Sequence, residues 1–135
     1  MINNCKIIDL KCITDQRGNL TPIEGTKDIP FYPKRVYYMY GVPEDEERGV
    51  HAHKKLQQVI ICLQGCVDIT LDNGKETQTV TLDSPTKGLY IFPMTWKSMY
   101  NFAPNTICLV LASAHHEKSD YYYDYNKFVK DVNGY

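Results

Sequence analysis

The segment with the most chemistry in it is Arg48-Gly49-Val50-His51-Ala52-His53-Lys54-Lys55-Leu56-Gln57-Gln58. In an extended chain, residues two apart project to the same face. His51 and His53 therefore point together, with Ala52 turned the other way and three cations (Arg48, Lys54, Lys55) beside them. A same-face imidazole pair has two uses. It can ligate zinc, iron or copper. It can also carry protons, because imidazole takes and returns a proton near neutral pH.

The elements that must hold this pair read almost wholly as strands. Cys5–Leu10 is the first, followed by the polar turn Thr14–Asn19 and a short extended stretch, Leu20–Glu24. Lys34–Tyr40 is rich in aromatic and β-branched residues. Gly41–Glu47 is a loop ending in the acidic run Glu44-Asp45-Glu46-Glu47, a solvated tip. Gln57–Leu63 follows the histidines as a strand and turns at Gln64-Gly65. Val67, Ile69 and Leu71 alternate with Asp68, Thr70 and Asp72, the period of a half-buried strand. Asn73-Gly74 marks a hairpin, and Thr77–Leu82, Gly88–Phe92 and Ile107–Ala112 complete the set. Short strands joined by Gly, Pro and Asn turns predict an all-β sandwich or jelly-roll barrel.

One helix is expected, over residues 119–132, capped by Ser119 or Asp120. Tyr121, Tyr125, Phe128, Val129 and Val132 would form its apolar stripe against the barrel or a second subunit. The chain reads as a single domain over 1–135, with the barrel ending near residue 115.

Composition sets the outer bounds. A chain of 135 residues with 43% hydrophobic and 23% charged residues can bury a core without staples. A formal net charge of −1 recruits neither nucleic acid nor an anionic membrane, so an anionic ligand needs a local cluster of cations. No apolar run is long enough to span a bilayer and the first residues open no signal peptide, which predicts a cytoplasmic protein. The five cysteines are scattered in apolar runs and read as buried thiols. Eleven tyrosines, each with an apolar body and a polar tip, suit the walls of a pocket or an interface.

The order His51, His53, Gln58, Gly65, followed by Pro93-Met94-Thr95-Trp96-Lys97, resembles the cupin pattern of His-x-His, Glu, Gly and a later Pro-led segment with a third histidine. The resemblance implies a cupin-type jelly-roll β-barrel. Gln58 stands where the ligand carboxylate would be, and Lys97 where the third histidine would be. Two imidazoles fall short of the three protein ligands of a catalytic zinc, so no metal and no other cofactor are expected. The pair then serves as proton carriers, kept neutral by a neighbouring Lys97 or Arg17.

More closely, the chain resembles the dTDP-4-keto-6-deoxyglucose 3,4-ketoisomerases, the WxcM-like cupins of bacterial cell-surface sugar synthesis. The strings that carry the likeness are Asp15-Gln16-Arg17-Gly18, Lys34-Arg35-Val36-Tyr37-Tyr38, Arg48-Gly49-Val50-His51-Ala52-His53-Lys54-Lys55-Leu56 and Leu82-Asp83-Ser84-Pro85. The resemblance implies a tautomerisation through an enediol on a dTDP-linked keto-sugar. It implies His51 as main base, His53 as its partner and Tyr37 with Arg35 on the sugar oxygens. Arg48, then Arg35 and Lys54, are the candidates for the diphosphate, and Gln58, Arg17 and Lys97 line the sugar. Family members pair Arg with His, or Tyr with Arg, at the positions of Arg17 and Lys97; this chain does neither, and Arg17 leans towards a galacto product. A homodimer with exchanged N-terminal strands is implied as well. Two other readings stay open: an epimerase acting on the same sugar, and a non-catalytic sugar-binding cupin.

Overall fold

The computed structural model describes residues 1–134. Its strands are β1 (Lys6–Asp9), β2 (Ile13–Asp15), β3 (Gly18–Leu20), β4 (Arg35–Tyr40), β5 (Arg48–His53), β6 (Gln58–Gln64), β7 (Val67–Asp72), β8 (Thr77–Leu82), β9 (Lys87–Ile91), β10 (Trp96–Tyr100), β11 (Ile107–Ala112) and β12 (Tyr121–Tyr122). One α-helix, α1 (Tyr125–Asn133), closes the chain. Two five-stranded sheets, ordered β1-β9-β6-β11-β4 and β12-β5-β10-β7-β8, face each other as a jelly-roll sandwich, while β2 and β3 form a separate hairpin.

The alternation read in β7 explains the core. Val67, Ile69 and Leu71 turn inward and cluster with Met99 of the adjacent β10 and with Ile60, Cys62, Cys108 and Val110 of the facing sheet. Each such side chain contributes roughly 1.5–3 kcal/mol by leaving water. Outside the first sheet, Ile29 and Phe31 cover Val59, Ile61 and Leu111. Outside the second, Phe128 of α1 packs on Ala52 and Tyr122, with Trp96 beside them.

Three elements differ from the sequence reading. The turn over Thr14–Asn19 is itself a hairpin, with Asp15 paired to Gly18 and Ile13 to Leu20. Trp96–Tyr100 is a strand, which its buried lysine hides from a hydrophobicity pattern. The helix starts later than its stripe suggested. Asp124 caps it, its side chain accepting from the N–H groups of Asn126 and Lys127. Lys118–Asp120 is only a 3-10 turn, and Tyr121 and Tyr122 pair with β5 as a short strand. Aromatic side chains favour that extended state, and Tyr121 therefore faces the site rather than the helix core. At the β7–β8 hairpin, only Gly74 takes a positive φ. Asn73 instead accepts the N–H groups of Lys75 and Glu76 through its side chain, shaping a longer loop.

Candidate active site

The site is built where β5 meets β10. Lys97 is the direct cross-strand partner of His51, and the register slips by one residue before Met99 reaches Arg48. That bulge turns on Gly49, whose φ of +63° suits glycine and costs another residue about 1–2 kcal/mol. A β-carbon there would also lie 3.1 Å from Lys97 Nζ.

Lys97 is 2% exposed. Its Nζ lies 3.2 Å from His51 Nε2 and donates to the Gly49 carbonyl at 3.3 Å. Burial without a carboxylate pulls its ammonium down to about 7. The same burial, with the repulsion of Lys97 and of His53, holds His51 down to about 2. His51 is thus a neutral imidazole across the neutral range.

His53 is buried as well and lies edge-on to His51, ring centroids 4.8 Å apart. Burial and Lys97 hold it down to about 4, against the pull of Asp120, whose Oδ2 is 3.3 Å from Nδ1. Tyr121 lies against both imidazoles, 4.9 Å from His51 and 4.2 Å from His53. Tyr123 stacks on Tyr121 at 5.1 Å.

The opposite wall comes from β4. Its strict alternation sends Arg35, Tyr37 and Met39 inward and Val36, Tyr38 and Tyr40 outward. Arg35 rests 4.5 Å over the Tyr37 ring. Gln58 Nε2 donates to the Tyr37 hydroxyl at 3.0 Å, while Gln58 Oε1 is buried with no partner. Burial raises the Tyr37 phenol, so it stays an O–H donor at neutral pH. Between these walls lies a cavity of about 210 Å³, lined by Arg35, Tyr37, Arg48, His51, Lys97 and Tyr121 among others.

Seven of the nine sequence-predicted residues therefore converge: His51, His53, Tyr37, Arg35, Arg48, Gln58 and Lys97. Two do not. Lys54 Nζ donates to the Ser119 carbonyl at 3.0 Å and lies 5.2 Å over Tyr122, on the far side of β5 from the cavity, so it fastens the C-terminal segment. Arg17 is on the β2–β3 hairpin, its side chain 86% exposed and paired with Asp15. Sequence reasoning missed Asp120, Tyr121 and His116, which the segment after β11 lays over the mouth of the site.

The metal of other cupins does not fit this donor set. An amide and an ammonium occupy two of the four ligand positions, and the Gln58 amide nitrogen is committed to Tyr37. Among the described residues, no three His, Cys, Asp or Glu side chains cluster as metal ligands. What the arrangement offers is two neutral imidazoles for proton transfer. A phenol, a buried amine and two guanidinium groups stand ready for developing negative charge.

The family model described as WxcM-like, C-terminal (FdtA) matches residues 3–133. A TDP-4-oxo-6-deoxy-α-D-glucose-3,4-oxoisomerase from Aneurinibacillus thermoaerophilus is 46% identical over 127 residues, covering 94% of this chain and 91% of its own. Among solved structures, a histidine-to-asparagine variant of the 3,4-ketoisomerase QdtA from Thermoanaerobacterium thermosaccharolyticum, in complex with TDP-4-keto-6-deoxyglucose, superposes with a TM-score of 0.96. It is 43% identical, over 99% of this chain and 97% of that one. A dTDP-4-dehydrorhamnose 3,5-epimerase from Bacillus anthracis shares the fold alone, with a TM-score of 0.76 and 14% identity over 87% of this chain and 77% of the other.

Proposed function

The chain belongs to the WxcM-like, FdtA family, and we propose that it is a 3,4-ketoisomerase acting on TDP-4-keto-6-deoxyglucose. The observation that carries the reading is the neutral His51 lining one cavity with Tyr37, in a chain 46% identical to a TDP-sugar 3,4-oxoisomerase. The epimerase alternative has only the shared barrel to support it.

The reaction exchanges a ketone and a neighbouring alcohol. Carbon C3 loses its hydrogen and C4 gains one, while the hydroxyl proton passes from O3 to O4. His51 takes the C3 proton, which the adjacent ketone acidifies. Burial and Lys97 keep its proton affinity low, but negative charge forming beside it raises that affinity as the enediolate develops. Tyr37 O–H and the Lys97 ammonium receive the charge on oxygen. His53 serves the second proton, and reprotonation at C4 leaves the ketone at C3. The small cavity suits the hexose, so the diphosphate lies at its mouth on Arg48 and Arg35, whose planar forks match phosphate oxygens. The product is an α-hydroxy ketone with its carbonyl at C3, the kind an aminotransferase converts to a 3-amino sugar.

We assign the outer face of the first sheet to a second copy of the chain. Val36, Tyr38 and Tyr40 stand outward on the edge strand β4, Tyr38 and Tyr40 being 62% and 70% exposed, and Ile13 and Leu20 are open on the β2–β3 hairpin. A monomer rarely leaves so many large apolar side chains bare. Exchange of the N-terminal segment would carry Arg17 to the partner's cavity, the role the family likeness gives it. A cytosolic location, where the five free thiols stay reduced, suits such an enzyme.

The deciding experiment is NMR of TDP-4-keto-6-deoxyglucose incubated with the protein in deuterated water. Formation of the 3-keto sugar with deuterium at C4 is expected, along with deuterium at C3 of the recovered 4-keto sugar. Exchange at C5 identifies an epimerase instead, and no exchange beside active controls rejects catalysis.

A further inference from the structure

Asp120 has no part in the chemistry above, yet its position is built. The carboxylate accepts the N–H groups of Lys55 at 2.9 Å and Leu56 at 3.2 Å, just past the end of β5. The Asp120 carbonyl accepts the Lys54 N–H at 2.8 Å, and the next residue, Tyr121, pairs in register with His53. Among the described residues, it is the one carboxylate within 4.0 Å of either site imidazole. Its Oδ2 lies 3.3 Å from His53 Nδ1. The contact is long and imperfectly aligned for a hydrogen bond, as catalytic hydrogen bonds commonly are before substrate binds. The other ring nitrogen, Nε2, is buried with no partner among the described residues.

We propose that Asp120 is a positioning residue for the isomerisation: it accepts the Nδ1 hydrogen of His53, fixes that tautomer and leaves Nε2 as a proton acceptor. The charged and titratable groups facing His53 are His51 on its own strand, Lys97 from β10, Arg35 from β4, and Tyr121 beside Asp120 itself. Every cation among them disfavours an imidazolium, and Asp120 alone offsets this. Without Asp120, the ring has no anchor to choose between its tautomers. The inference rests on the ketoisomerase reading for its kinetic consequence and on geometry for the tautomer.

Nitrogen-15 NMR of histidine-labelled protein reads the tautomer directly. The wild-type protein at pH 7 should show His53 protonated at Nδ1, and Asp120→Asn should lose that preference. In the same variant, turnover of TDP-4-keto-6-deoxyglucose should fall roughly 10- to 100-fold, the size of effect seen when an orienting partner is removed. KM should change little, and the acid limb of kcat/KM should move to lower pH. A wild-type His53 protonated at Nε2 overturns the proposal, and so does a variant that keeps both tautomer and kcat. If the wild type leaves the keto-sugar unchanged, the ketoisomerase reading fails by itself, and the wild-type spectrum still decides the Asp120–His53 pair.

Discussion

Lys97 and His51 face each other across the β5–β10 ladder, with Lys97 Nζ 3.2 Å from His51 Nε2 and no carboxylate between them. Two bases so placed, both drawn out of water, cannot both be charged at modest cost. The ladder thus sets the protonation state of the site: His51 stays neutral, and Lys97 titrates within the working range of the enzyme.

The first consequence is thermodynamic. Lys97 ionises near 7 when folded and near 10.5 when unfolded. The unfolded chain therefore binds more protons between about pH 7 and 10.5, and the buried lysine lowers stability as pH falls through that window. Replacing Lys97 with Met should raise Tm at pH 7, by up to about 5 kcal/mol in unfolding free energy. The gain should shrink as pH approaches 10.5. Thermal unfolding of both proteins between pH 6 and 10.5 measures it, and a gain that grows with pH contradicts the burial of an unpaired amine.

His51→Asn removes the base while keeping a planar polar side chain. Turnover should fall at least 100-fold, the usual contribution of a general base, with TDP affinity changed only a few-fold. Calorimetry and the NMR assay separate the two. Turnover that survives would return the protein to the class of sugar binders. The variant should also tolerate acid better, because a histidine held far below 6.5 when folded costs stability as pH falls through that value.

Tyr37→Phe tests the opposite wall. It removes the hydroxyl we assign to the sugar oxygens and strands the Gln58 amide, both of whose polar atoms would then be buried without a partner. Loss of a single donor to a developing oxyanion typically costs 10²–10³ in kcat. A drop of roughly that size with KM little changed is expected; a change confined to KM would make Tyr37 a binding residue only.

Gly49→Ala probes the bulge without touching a reacting group. It forces a positive φ on alanine and presses a methyl against Lys97 Nζ. Stability should fall by about 1–2 kcal/mol, seen as a Tm several degrees lower. Displacement of Lys97 should cut kcat/KM by roughly tenfold. Unaltered kinetics would show that Lys97 need not sit where the bulge holds it.

Legibility followed the distance over which each feature is set. The His51–His53 pair was readable because a two-residue period is local; Tyr37 was implied by the family likeness, and the alternation of β4 turns it inward. Lys97 was placed by likeness to the cupin pattern, while its strand was not recognised: Lys97 and Met99 point inward, and a lysine on the buried face breaks the apolar alternation that marks a strand. Asp120 carried no local signal as a site residue. It resembles a helix cap in sequence, and the true cap, Asp124, stands four residues on with the same chemistry. Its contact with His53 exists only because β12 closes on β5. The cation count misled at Lys54, whose ammonium lies over the Tyr122 ring and donates to the Ser119 carbonyl.

Arg17 poses the last test. Within one chain its hairpin holds it against Asp15, outside the cavity of His51, so a role in the reaction requires delivery to another copy. Arg17→Ala and His51→Asn homodimers should each be nearly inactive. Unfolded together and refolded as an equal mixture, half of the dimers would be hybrids. In each hybrid, exchange brings both defects to one site and both intact residues to the other. About a quarter of the wild-type sites should then return to activity. If Arg17 served its own chain's cavity, every site in the mixture would carry one defect and nothing would be recovered. Recovery of turnover from two inactive parents thus reports, in one assay, that the protein is a dimer and that its N-terminal hairpin works across the interface.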